Sequence, residues 1–125
     1  GMLLEFGEVG YKEGVKDSKV KLKVETNLGK PYLVTQKLAE PLQNDEGNKI
    51  PDELFTFVLK KAEATQGTLK FEGPAIFESG KDISLFVSNA SGDSDEFDIT
   101  YGLKTTPDTK GGNYTTRISY SLSEL

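Results

Sequence analysis

Apolar and polar residues alternate with a period of two along most of this chain, which is the mark of strands with one face on a core and the other in water. The clearest stretch lies near the end: Tyr114, Ile118, Tyr120 and Leu122 share one face, and Thr115, Arg117, Ser119 and Ser121 share the other. It predicts a closing strand over residues 112–122. Val20, Leu22 and Val24 alternate in the same way with Lys19, Lys21, Lys23 and Glu25. Shorter alternating or β-branched runs predict further strands around 3–6, 32–36, 54–59, 68–71, 83–88 and 97–103.

Turn residues separate these runs. Asn27, Gly29 and Pro31 mark a hairpin or a sandwich corner, because Asn and Gly accept positive φ and Pro ends a ladder. Residues 37–53 carry Pro41, Pro51 and the turn Asn44-Asp45-Glu46-Gly47 with little periodicity, and read as a long connection crossing between sheets. The segment 52–64 also admits a short helix capped by Asp52, with Leu54 and Val58 on one face. Its aromatic and β-branched content, and the Thr65-Gln66-Gly67 turn after it, favour a strand. The expectation is an all-β fold: an Ig-like antiparallel β-sandwich of about seven to eight strands. It forms a single domain over residues 3–125, with residues 1–2 read as a tag scar and start, so that an export signal upstream stays open.

Composition narrows the chemistry. The chain has 125 residues, enough for one core without staples, and its seven Phe and five Tyr supply bulky material for it. A net charge of -5 opposes a phosphate surface, so nucleic acid is not an expected partner. There is no Cys and no His, which removes disulfides, thiolate metal sites, Cys nucleophiles and the commonest general base and zinc ligand. No run approaches the roughly 20 apolar residues of a membrane-spanning helix. Neither a cofactor nor a catalytic role is expected.

Candidate sites are few. Asp93, Asp95 and Asp98 in the loop 89–98 could converge on calcium, but the run lacks the Gly and Glu spacing of an EF-hand, and a solvated turn explains it as well. Tyr11 and Tyr32 are the tyrosines placed for exposure and hence for stacking on a sugar; Tyr101, Tyr114 and Tyr120 lie in phase with apolar neighbours and are expected in the core. Carboxylate pairs such as Asp52 with Glu53, or Glu78 with Asp82, are no more than chance predicts among 20 acidic residues. Asn89-Ala90-Ser91 and Asn113-Tyr114-Thr115 match the glycosylation triplet, a pattern that arises often by chance.

The opening Leu4-Glu5-Phe6-Gly7-Glu8-Val9, the charged alternating strand to Val24, and the ending Gly112-Asn113-Tyr114 through Leu122 resemble bacterial surface sandwiches of the spore coat protein U and pilin-type families. Those families commonly carry a disulfide, which this chain lacks. The resemblance implies a secreted, periplasmic or cell-surface bacterial subunit, fimbrial or coat-like, non-catalytic and structural or adhesive. It would assemble with other protein subunits, like copies among them, by adding β-strands at an exposed edge. The alternative expectation is a carbohydrate-binding accessory module, with calcium stabilising the loop at Asp93, Asp95 and Asp98.

Overall fold

The computed structural model describes the backbone of residues 2–9, 15–26 and 29–125, with side chains from residue 17 onward. It contains nine strands: β1 (Met2–Val9), β2 (Val15–Val24), β3 (Tyr32–Leu38), β4 (Phe55–Lys61), β5 (Thr68–Leu69), β6 (Ala75–Ile76), β7 (Asp82–Val87), β8 (Asp95–Lys104) and β9 (Gly112–Glu124). One sheet runs β1-β9-β3-β7-β5 and the other β2-β8-β4-β6. Every pairing is antiparallel. The all-β antiparallel sandwich expected from the sequence is the architecture observed.

Its wiring is more specific. Each strand is followed in sequence by one in the opposite sheet, from β1 through β9. The two sheets therefore interleave as in a jelly roll, whereas the A and B strands of an immunoglobulin constant domain share a sheet. No strand pairs with its neighbour in sequence. The 29–31 turn is accordingly a corner joining β2 to β3 across the sandwich, with Gly29 at φ 68, and residues 39–54 carry the chain from β3 to β4 in the other sheet. Within that connection the side-chain oxygen of Asn44 accepts from Glu46 N at 3.1 Å and Asn48 N at 2.9 Å, while its amide donates to Gly111 O at 3.0 Å. The helical alternative over 52–64 reduces to one 3-10 turn, Asp52–Leu54, before β4.

Burial follows the alternation read from the sequence. Phe55, Phe57 and Leu59 of β4, Phe97, Ile99, Tyr101 and Leu103 of β8, and Tyr114 and Ile118 of β9 are buried, and their in-between neighbours face outward. The centre of the core is aromatic. Phe77, just past β6, stacks on Phe55 with ring centroids 4.8 Å apart and packs against Phe57 at 4.9 Å and Tyr101 at 6.0 Å. At the other end Phe86 stacks on Phe97 at 4.9 Å. A polar chain threads between the sheets: Tyr101 donates to Gln36 Oε1 at 2.9 Å, and its hydroxyl also bonds that of Tyr120. Gln36 is fully buried, and among the described residues its Nε2 has no hydrogen-bond partner.

Candidate functional site: the open edge of β9

β9 is the longest strand and lies second from the edge of its sheet. From Ile118 to Glu124 it has a neighbouring strand on one side. β3 pairs with it from Leu38↔Ile118 to Tyr32↔Glu124 without a register shift. On the other side β1 covers only part of it, because pairing there runs from Val9↔Gly112 to Met2↔Ile118. Among the described residues no strand lies along residues 119–124 on the β1 side.

Alternation decides which backbone groups that leaves free. Arg117 O accepts from Ala39 N at 3.0 Å, Thr115 exchanges both bonds with Gln43, and Leu125 N donates to Pro31 O at 3.1 Å. Odd-numbered residues thus direct their N–H and C=O groups toward the β3 side. In a regular strand the even-numbered ones point the opposite way. Tyr120, Leu122 and Glu124 therefore present their backbone donors and acceptors at the open edge.

A groove runs beside this edge. It encloses about 240 Å³ and is lined by Leu22, Val24, Val34, Tyr120 and Leu122, with Lys23 and Glu25 at its rim. It lies where β2 edges one sheet and, among the described residues, β9 beyond Ile118 edges the other. Leu122 is 41% exposed, although its parity aims it inward with Tyr114 and Ile118. An extended segment laid along β9 would meet unpaired backbone on one side and apolar side chains beneath.

The residues singled out from the sequence lie elsewhere. Tyr32 is fully buried: its ring meets Phe86 edge-on at 6.4 Å and its hydroxyl donates to Asp93 O at 2.7 Å. The expectation that it is exposed for sugar stacking is therefore corrected. It begins a strand beside a corner, where the ring faces the core and the hydroxyl reaches loop backbone. Burial, reinforced by the carboxylates of Asp95 and Asp93, holds its phenol above the usual tyrosine range. Tyr11 lies outside the described residues. Among the described residues the exposed large apolar side chains are Val58, Ile76, Leu122 and Leu125, none of them aromatic.

Asp93, Asp95 and Asp98 do not converge. Asp95 accepts from Gly67 N at 2.7 Å, from Gln66 N at 3.1 Å and from its neighbour Glu96 N at 2.8 Å, pinning the turn that leads into β5. Asp93 accepts from the Asn89 amide at 2.8 Å, within its own loop. Asp98 has the opposite parity to Asp95 on β8 and lies 3.8 Å from Lys21 on the outer face. Among the described residues no three acidic side chains gather into a metal-binding group. The other acidic pairs are similarly occupied: Asp52 accepts from Ser79 N and Oγ, and Glu78 pairs with Lys81.

These different roles predict different costs. Asp95→Ala leaves buried Gly67 N–H without its acceptor and is expected to lose about 1.5–3 kcal/mol in urea unfolding, the range for hydrogen bonds to a charged group. Asp98→Ala breaks only a partly exposed ion pair and is expected to lose less than about 1 kcal/mol.

Alternation in the sequence showed which side chains of β9 face inward, but nothing in it marked the edge. The signal available was the uncharged run Ser119-Tyr120-Ser121-Leu122-Ser123, which stands out only when set beside the lysines of β2. Among known proteins the chain matches no family model, no curated protein and no solved structure. Among the described residues no helix is long and apolar enough to cross a membrane.

Proposed function

We propose that this chain is a non-catalytic structural or adhesive subunit of an exported assembly, fimbrial or coat-like, which joins other subunits by β-strand addition at the open half of β9. One observation carries this reading: among the described residues no strand covers the side of Tyr120, Leu122 and Glu124 that faces away from β3, and an apolar groove of about 240 Å³ lies next to it. Main-chain bonds to an added strand supply affinity in such recognition, and alternate side chains entering a groove supply selectivity. The resemblance of both chain ends to spore coat and pilin-type sandwiches supports placing the protein at a bacterial surface, in the periplasm or outside the cell.

The test uses the native gene product in its own host. Cells are sheared and the released material is run on a gel without heating. A ladder of multimers that collapses to one band on boiling is expected, and Leu122→Pro is expected to abolish it. Proline at this position removes an N–H that faces the open side and leaves the β3 ladder intact, which is how edge strands tolerate it. Leu122→Lys, which aims a charge into the groove, serves as the second blocking variant. A monomer confined to the cell interior overturns the proposal.

A further inference from the structure

The connection from β3 to β4, residues 39–54, and the connection from β8 to β9, residues 105–111, meet and enclose a cleft of about 260 Å³. One wall is the stretch 48–54, where Ile50, Pro51 and Leu54 supply apolar surface; the other is the turn 106–110. Both walls are fixed. Ile50 N donates to Leu42 O at 2.9 Å, and Leu54 N donates to Pro51 O at 2.9 Å. Opposite them, Thr109 N donates to Thr106 O at 3.0 Å, and the Tyr114 hydroxyl donates to Lys110 O at 2.6 Å. The Asn44 amide, bonded to Gly111 O, ties one connection to the other. A cleft held in this way loses little conformational freedom when it binds.

Its polar groups are mostly donors without acceptors. Lys49 stands on one wall and Lys110 on the other, both exposed, and among the described residues neither ammonium joins an ion pair. Thr106 Oγ1 accepts from Asp108 N at 3.3 Å, and Thr109 Oγ1 accepts from Thr106 N at 2.9 Å. The two hydroxyls lie 3.5 Å apart, so one O–H serves the other oxygen and the second remains to donate. Against these donors stands one carboxylate, Asp108, which leaves the lining with an excess of one positive charge in a chain whose net charge is -5. The other acidic residues of the two connections lie off the cleft. Asp52 accepts from Ser79 N and Oγ, Glu40 and Glu53 are exposed and outside the lining, and Asp45 and Glu46 line a separate hollow of about 140 Å³.

We propose that this cleft binds a small organic carboxylate, with its head between Lys49 and Lys110 and its body against Ile50 and Leu54. An ammonium on each side and a hydroxyl proton suit a head that only accepts hydrogen bonds. The aliphatic floor suits a carbon body and gives a bare inorganic anion nothing to cover it. A volume just under the roughly 300–1,000 Å³ of drug-sized ligand sites limits that body to one ring or a short chain. A sugar acid and a short aliphatic acid share this chemistry, and titration separates them.

The isotope-labelled full chain is titrated in turn with glucuronate, hexanoate, glucose and inorganic phosphate, and its methyl and amide resonances are followed. Saturable shifts confined to Ile50, Leu54 and the 106–110 turn are expected with at least one of the two carboxylates and not with glucose; the tighter carboxylate identifies the source. Lys49→Gln and Lys110→Gln are each expected to weaken binding about two- to five-fold, the worth of one exposed ion pair, and the double variant about ten-fold. Asp108→Asn removes a like charge from beside the head and is expected to tighten binding about two-fold, a gain that misfolding cannot imitate. Three results each overturn the proposal: no saturable shift with either carboxylate, phosphate shifting the same resonances as strongly, or an affinity unchanged in the double lysine variant. Weaker binding by Asp108→Asn does so too.

Discussion

Phe77→Ala is expected to destabilise the fold by about 3–5 kcal/mol, the usual cost of emptying a buried aromatic site. Domains of this size are stable by roughly 5–15 kcal/mol, so the substitution removes a large part of the total. Phe77 is fully buried and sits against two adjacent strands of one sheet that lend it aromatic neighbours: Phe55 and Phe57 from β4, and Tyr101 from β8, with ring centroids 4.8–6.0 Å away. Because β4 and β8 are paired strands, the backbone around the void is held by their ladder and collapses little. A cavity that cannot close retains its full penalty. Phe77→Leu keeps most of the volume and is expected to cost less than about 1.5 kcal/mol. Urea unfolding of the two variants checks the ranking; equal, small losses would show that Phe77 does not anchor the core.

The same residue shows where the sequence was legible and where it was not. Strands long enough to repeat their alternation declared both their type and their inward face, as in β4 and β9. Phe77 lies one residue beyond the two-residue β6, too short for any period, so nothing marked it as central. Leu42 and Ile50 are buried from within the connection between β3 and β4 for a similar reason. Their backbone is fixed by a bridge between Gln43 and Lys49 and by the Asn44 side chain, not by strand repeats.

Topology was the larger omission. Alternation assigns a residue to the inside or the outside of a sandwich, but it does not say which strand lies beside which. β1 pairs with β9, the first strand with the last, and this pairing fixes where the open edge falls. Among the described residues β1 pairs with β9 only as far as Ile118, β9 continues to Glu124, and the groove lies beside that stretch. Local pattern carries no information about it. Gln36 depends on remote sequence in the same way: its partner across the sandwich, Tyr101, lies 65 positions away.

The buried tyrosines make alkaline pH the second strong test. Burial holds the Tyr101 phenol far above the ordinary tyrosine range, and it raises those of Tyr120 and Tyr114 as well; the hydrogen bond between the Tyr101 and Tyr120 hydroxyls partly offsets the rise at Tyr120. Tyr32 is raised too. Below about pH 10 these phenols are neutral in both states and stability is fully present. Above it the unfolded chain releases their protons while the folded chain keeps them, so the unfolded state is favoured increasingly as pH rises. Each tyrosine held neutral removes up to about 1.4 kcal/mol per pH unit. Set against roughly 5–15 kcal/mol, this loss is expected to unfold the chain above pH 10. The transition should be cooperative, because tyrosines in the core ionise only when the two sheets part: tyrosinate absorbance and loss of near-ultraviolet circular dichroism are expected to rise together. If the absorbance instead climbs smoothly from about pH 10 while the dichroism stays native, the phenols of the Tyr101 and Tyr120 pair are open to solvent and the polar chain between the sheets is not closed.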